Sequence, residues 1–209
     1  MKVVAFNGSP KKEGNTYHAI KMVAEELEKE GVEVEIIHVG NKTIRGCLAC
    51  NACARNKNEK CIIDNDEVNE WIQKMKEADG IILGSPVHYS AIAGTMKSFL
   101  DRAFYVAGSG MLRHKVGASV VAVRRSGGVT TFEQLNNYIN YSEMLMPTSN
   151  YWNVIHGAAP GEVIGDEEGK QIMRVLGKNM AWLMKLVQNG KGTVKEPERE
   201  DKVFTNFIR

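Results

Sequence analysis

Apolar positions recur along this chain in two rhythms. Val3, Val4, Ala5 and Phe6 form a short continuous apolar run that Asn7-Gly8 ends, the pattern of a strand buried on both faces. From Thr16 to Lys29 the spacing becomes helical, with Ala19, Ile20, Val23, Ala24 and Leu27 on one face and a stop at Gly31. Glu33 to Val39 predicts a second strand by alternating Val34, Ile36 and His38 against Glu33, Glu35 and Ile37. Asp64 or Asp66 can cap a helix carrying Val68, Trp71, Ile72 and Met75, and Gly80 separates it from the apolar run Ile81-Ile82-Leu83. Gly94 to Tyr105 predicts a helix in which Phe99 and Leu100 face the core, and Val116 to Val123 a fully buried strand. A helix near Thr131 to Met144, a strand near Tyr151 to Ile155 and a long helix near Glu167 to Gln188 complete the series.

Five strands alternating with five helices predict an α/β fold. Its five-stranded sheet is parallel and helix-covered on both faces, a three-layer α/β/α sandwich, because right-handed crossovers place helices on each side. The doubly wound, flavodoxin-like order 2-1-3-4-5 opens its ligand crevice at the carboxyl ends of strands 1 and 3, where the order reverses. Function is therefore expected in the loops after Phe6, Leu83 and Val123. Residues 1–189 are expected to form one flavodoxin-like α/β domain with a loop, 46–62, inserted after strand 2. The tail 190–209 ends in Val203-Phe204-Thr205-Asn206-Phe207-Ile208, too apolar to stand idle, and is expected to dock on the body or on a partner subunit.

Composition narrows the class of partner. The 209 residues are 43% hydrophobic and 25% charged, with 20 Gly and 5 Pro, which excludes disorder, collagen and coiled coil. Twenty-seven basic against 25 acidic residues leave a net charge of +2, too balanced to call for nucleic acid or a membrane surface. A small-molecule ligand is expected. The amino terminus has only a four-residue apolar run, and no stretch approaches the roughly 20 apolar residues that span a bilayer, so a cytoplasmic protein with reduced thiols is expected.

Three loops then carry the chemistry. Gly8-Ser9-Pro10-Lys11-Lys12-Glu13-Gly14-Asn15-Thr16 joins strand 1 to a helix amino terminus, where free N–H groups and the helix dipole favour a phosphate. Ser9, Asn15 and Thr16 can donate to it. The loop is neither a nucleotide P-loop nor a Gly-x-Gly-x-x-Gly dinucleotide turn, and a plain capped turn is its structural alternative. Gly84-Ser85-Pro86-Val87-His88-Tyr89-Ser90-Ala91-Ile92-Ala93-Gly94 faces it across the switch point and exceeds the usual 2 to 6 residues of such a connection. Tyr89 can flank a planar ring. The third loop, Arg124-Arg125-Ser126-Gly127-Gly128, pairs two cations, which can offset charge on a reduced ring, with glycines that let amides approach its edge.

Gly8-Ser9-Pro10 with Gly14-Asn15-Thr16, Gly84-Ser85-Pro86-Val87-His88-Tyr89, and Gly94-Thr95-Met96-Lys97 with Asp101-Arg102 together resemble the flavodoxin-like NADPH-dependent FMN reductase family. The resemblance implies noncovalent FMN. Ser9, Lys11, Asn15 and Thr16 would hold its phosphate, Pro86, Val87, His88, Tyr89 and Ser90 would line its ring, and Arg124, Ser126, Gly127 and Gly128 would bound it from the third loop. No catalytic side chain is implied, since the flavin carries the chemistry.

All four cysteines fall in one segment, Cys47-x2-Cys50-x2-Cys53-x7-Cys61. Three evenly stepped thiols wrapping one body suit a [4Fe-4S] cubane better than zinc, whose sites usually join two Cys-x2-Cys arms by a longer spacer. Disulfides do not suit a reduced chain. Small Ala49, Ala52 and Ala54 leave room for inorganic sulfide, and Lys42, Arg45, Arg55, Lys57 and Lys60 can offset an anionic cluster. The motif resembles the compact cysteine motif of the iron-sulfur flavoproteins, a branch of the same family. The segment follows strand 2, a lateral step of about 5 to 10 Å from the switch point.

An FMN-dependent oxidoreductase is expected, its flavin exchanging electrons with a [4Fe-4S] cluster and with small-molecule or protein donors and acceptors. NAD(P)H use rests on the resemblance, and ferredoxin is an alternative donor. The resemblance also implies a homodimer. The rivals are an NAD(P)H-dependent FMN or quinone reductase without a cluster and a flavodoxin-like one-electron carrier.

Overall fold

The computed structural model describes residues 1–205 and residue 207. Asn206 and Ile208 of the apolar tail segment, and Arg209, lie outside the described residues. The strands are β1 (Lys2–Asn7), β2 (Glu33–His38), β3 (Gly80–His88), β4 (Ala91–Ile92), β5 (Val116–Val123) and β6 (Val154–His156). The α-helices are α1 (Asn15–Lys29), α2 (Ala52–Asn56), α3 (Val68–Glu77), α4 (Gly94–Val106), α5 (Gly128–Tyr141) and α6 (Glu167–Gly190). Five strands pair in parallel in the order β2-β1-β3-β5-β6, which is the doubly wound order expected, and β4 adds an antiparallel arm to β3.

The pleat divides the core in two, because successive strand residues point to opposite faces. Val4 and Phe6 of β1 and Ile81 and Leu83 of β3 pack with Trp71, Met75, Phe99 and Leu100 from α3 and α4. Val3, Ala5 and Ile82 pack on the other face with Ile20, Val23 and Leu27 of α1 and Leu176 and Met180 of α6. Phe6 anchors the first layer, its ring 4.6 Å from Phe99 and 6.5 Å from Trp71. Registers such as Asn7 opposite Gly84 bring the carboxyl ends of β1 and β3 level, so the loops that follow them share one edge.

Three expectations need correction. β3 runs to His88 rather than ending at Leu83, and the long connection behind it is largely a hairpin: Tyr89 and Ser90 both have positive φ (51° and 58°), the conformation that a two-residue I′ turn demands. The last strand is Val154–His156, not Tyr151 to Ile155. Tyr151 and Trp152 are exposed, while Asn153 turns inward to donate to the Ser119 carbonyl at 3.0 Å. The helix expected from Thr131 to Met144 spans Gly128–Tyr141 instead. Gly127, in the left-handed region at φ 86°, starts it, and Met144 lies beyond the turn at Ser142 and Glu143 that follows it.

The tail crosses the ends of α4 and α5. Arg199 donates to the Ser109 and Gly108 carbonyls, Arg113 donates to the Pro197 carbonyl, and the Lys202 ammonium lies 3.7 Å from the Tyr141 ring centroid. Val203, Phe204 and Phe207 remain almost fully exposed.

Candidate functional site: a carboxyl-edge cleft and a four-cysteine cavity

A cleft of about 220 Å³ opens at the carboxyl edge of the sheet. It brings together Ser9, Lys11, Asn15 and Thr16 from the loop after β1, Pro86, Val87 and His88 from the end of β3, and Arg124 after β5. Gly157, Ala158 and Pro160, from the connection after β6, complete it. That fourth wall escaped the sequence-based reading, although His156-Gly157-Ala158-Ala159-Pro160 is also a connection leaving this edge. The strand count alone was enough to find it, since every parallel strand ends there.

The phosphate-sized end of the cleft is set by buried polar groups. Asn7, 1% exposed, accepts from Ser9 N at 3.1 Å and donates to the Lys12 carbonyl at 2.9 Å, which fixes the curl of the loop. Ser9 Oγ accepts from Lys11 N, and His38 Nε2 lies 2.8 Å from the Ser9 carbonyl. A Cβ on Gly40 would fall 2.1 Å from that same carbonyl oxygen, so only glycine lets the β2 exit run against this loop. Thr16, 1% exposed, is the exception to this satisfaction: its hydroxyl is buried with no partner. A buried unpaired hydroxyl costs free energy unless a ligand completes it. Its place in the first turn of α1, where backbone N–H groups are also free, is what an anionic ligand needs. These residues fit the phosphate of FMN.

The other expected flavin contacts separate. Tyr89 stands fully exposed at the hairpin tip, and neither it nor Ser90 lines this cleft. Ser90 instead packs on Gly127, where a Cβ would fall 2.6 Å from Ser90 Oγ. Gln134 of α5 holds the hairpin, accepting from Ile92 N at 3.3 Å and donating to the Ser90 carbonyl at 3.4 Å. Ser126 is exposed beside this contact, and Gly128 is a buried helix residue packed on Val154. Glu162 shapes the fourth wall: its carboxylate accepts from the amides of Ala158 and Ala159, and those bonds hold its pKa below the usual carboxylate range.

The second feature is the cysteine loop. Cys47, Cys50, Cys53 and Cys61 all line one small cavity with Leu48, Asn51, Ile62, Ile63, Arg102, Tyr105 and Val106. All four are free thiols, two exposed and two half-buried. Among the described residues no three His, Cys, Asp or Glu side chains are gathered as a metal-holding group. The chain curls around the cavity by left-handed turns at Ala49, Asn51, Lys57 and Glu59, and α2 forms between them. Burial pushes the Cys53 thiol above its ordinary pKa, and the neighbouring thiols Cys61 and Cys47 push the same way. Asn69 of α3 clamps Cys61 on both sides, accepting from its N–H at 2.7 Å and donating to its carbonyl at 2.9 Å. Four soft thiol donors around one cavity, with small side chains between them, fit an iron-sulfur cluster.

Of the cations expected to surround the loop, Lys42 pairs with Glu67, and Arg55 donates to the Cys50 carbonyl at 2.9 Å. The cavity lies against the second half of α4, and it shares no lining residue with the cleft.

Comparison with known proteins gives the family and the fold. The sequence profile of the NADPH-dependent FMN reductase family matches residues 1–159. An iron-sulfur flavoprotein of Methanocaldococcus jannaschii is 37% identical over 195 residues, covering 90% of this chain and 100% of that protein. Another, from Archaeoglobus fulgidus, is 33% identical over 188 residues, covering 87% and 79%. Among solved structures, RosB with a bound 8-demethyl-8-formylriboflavin-5'-phosphate has a TM-score of 0.70 at 15% identity, covering 100% of this chain and 92% of that one. A flavodoxin from the domain Archaea has a TM-score of 0.60 at 17% identity, covering 88% and 99%. The fold is flavodoxin-like.

Proposed function

Because the chain belongs to the NADPH-dependent FMN reductase family, we propose that it is an FMN-dependent oxidoreductase that also carries a [4Fe-4S] cluster on Cys47, Cys50, Cys53 and Cys61. The observation that carries the cluster is the meeting of all four cysteines on one cavity, and relatives of similar length are named iron-sulfur flavoproteins. When bound, the flavin supplies two-electron exchange with a substrate, and the cluster supplies one-electron transfer.

The chain's part is binding and orientation. Thr16 would donate its unpartnered hydroxyl to the flavin phosphate, and Lys11 would supply a positive charge to it. Asn15 hydrogen-bonds a phosphate oxygen, and Ser9 keeps the loop open by accepting from Lys11 N. Pro86, Val87 and His88, which line the cleft, would form one wall for the ring, and Arg124 would offset negative charge on a reduced ring. Tyr89 and Ser90, with Ser126, Gly127 and Gly128, form the hairpin and helix start outside the cleft lining, from which they would border the ring.

Residues 1–189 act as one FMN-binding domain with 46–62 as its cluster loop. The tail 190–209 docks on the body or a partner. We assign a homodimer, supported by a broad groove beside the cysteine loop that exposes Tyr105, Tyr141 and Phe204. Electron donors and acceptors are small molecules or redox proteins. Four free thiols suit a reducing compartment, the cytoplasm. Among the described residues no helix is long and apolar enough to cross a membrane.

Anaerobic purification followed by a visible spectrum and assays of iron and acid-labile sulfide tests this assignment. Flavin bands with stoichiometric sulfide are expected. Flavin without sulfide would leave a cluster-free NAD(P)H-dependent FMN or quinone reductase, the reading that the family's name favours. A colourless chain that FMN does not restore would remove both. Cys50→Ser is expected to abolish labile sulfide and leave FMN binding intact, since the two cavities have separate linings.

A further inference from the structure

Arg102 lies on α4, away from the carboxyl-edge cleft, and its side chain is 0% exposed. A buried guanidinium has five N–H donors to satisfy. Here all five groups of contacts lead into the cysteine segment. Nε donates to Cys61 Sγ at 3.4 Å. One terminal nitrogen donates to Asp66 Oδ2 and to the Arg45 carbonyl at 3.4 Å, and the other to Asp66 Oδ1 at 3.1 Å and to the Ile63 carbonyl at 2.8 Å. Arg45 precedes the first cysteine, while Ile63 and Asp66 follow the last. One side chain therefore ties the entry of the loop to its exit and touches a single one of the four sulfurs.

We propose that Arg102 is a positioning residue for the cluster: it closes the base of the four-cysteine loop and, by its N–H···S bond to Cys61, stabilises the reduced form of the bound cluster. The inference rests on the cluster assignment above. A hydrogen bond to a ligand sulfur stabilises the electron-rich, reduced form, so it raises the reduction potential. Asp66, 7% exposed at its side chain, neutralises the guanidinium and orients it, and its Oδ1 also accepts from Val68 N at 3.2 Å, which ties the pair to the start of α3. Lysine cannot reproduce the fork, since its three donors radiate from one nitrogen.

The test uses the full chain reconstituted anaerobically with iron, sulfide and FMN. Arg102→Lys is expected to bind FMN as the wild type does, measured by flavin fluorescence quenching. It is expected to hold less iron and labile sulfide per chain. Its residual cluster should titrate at a more negative midpoint potential by EPR-monitored redox titration. A resonance-Raman shift of the Fe–S stretching bands on transfer to D2O is expected in the wild type and is expected to shrink in the variant, which keeps the bond from Ala49 N to Cys47 Sγ.

Where Arg102→Lys fails to fold, the double variant Arg102→Gln with Asp66→Asn removes both buried charges and is expected to lower the potential in the same direction. An unchanged midpoint potential in the loaded fraction of either folded variant would overturn the electronic role, even if loading fell. Unchanged loading would overturn the closing role. A wild-type chain without labile sulfide after reconstitution would instead remove the cluster assignment itself, an outcome distinct from both.

Discussion

Thr16 holds a hydroxyl that the protein buries and does not satisfy. Thr16→Val keeps the shape and removes only the donor. FMN affinity is expected to fall about tenfold or more, since a hydrogen bond to a charged group is worth about 1.5 to 3 kcal/mol, while the flavin-free protein melts at the same or a higher temperature. Fluorescence titration and flavin-free thermal melts check the two halves, and a drop in apo stability with unchanged affinity would contradict the assignment. Gly127 gives a second case. Its φ of 86° and the 2.6 Å approach to Ser90 leave no room for a Cβ. Gly127→Ala is expected to destabilise the fold by at least about 1 to 2 kcal/mol, the usual cost of a left-handed L-residue, and denaturant unfolding measures it. Both residues belonged to loops marked by their composition alone. That Thr16 is unpartnered and that Gly127 faces a hairpin turn depended on neighbours distant in sequence.

Among the elements, α4 and α5 are joined by a polar contact at the margin of an apolar layer. Tyr138 donates to Asp101 Oδ1 at 2.5 Å, and Lys97 grips the same carboxylate at 2.6 and 2.7 Å. Burial, reinforced by the Asp101 carboxylate, pushes the phenol up from 10.0 to about 12. The folded state then keeps a proton that the unfolded chain releases. The contact therefore contributes fully below pH 10 and is lost as pH rises toward 12. Chemical denaturation across that window is expected to show a steeper loss of stability for the wild type than for Tyr138→Phe, and parallel curves would contradict the raised pKa of this half-buried phenol. The other lesson at this scale comes from β3. Its extension to His88 and the turn at Tyr89-Ser90 looked like a long loop because Pro86 and Ser85 interrupt the apolar run. The hairpin forms because β4 and Gln134 of α5 supply partners from farther along the chain.

At the scale of the whole molecule, the cysteine cavity, the groove exposing Tyr105 and Tyr141, and the tail occupy one side, while the cleft opens at the carboxyl edge. If this side is the homodimer contact, Tyr141→Glu places a charge on it. The variant is expected to sediment as a monomer where the wild type sediments at twice the chain mass, with FMN affinity unchanged. A wild-type monomer would contradict the dimer. The sheet order, the two buried layers and the edge that carries the loops were all legible in the sequence. Period-2 and period-3.6 burial are local rhythms, and parallel crossovers leave few ways to join them. So was the gathering of four cysteines, because they share one short segment. Only the tertiary structure decided which polar groups inside are satisfied and which are not. Arg102 stands in a helix next to Asp101, a residue with an exposed Lys97 partner, and the motif that contains it does not tell that α3 and the cysteine loop close over it. Hydrophobic periodicity is a property of neighbours in the chain, whereas hydrogen-bond completion is a property of neighbours in space. The orphan hydroxyl at Thr16 and the closed guanidinium at Arg102 therefore emerge only in the folded molecule.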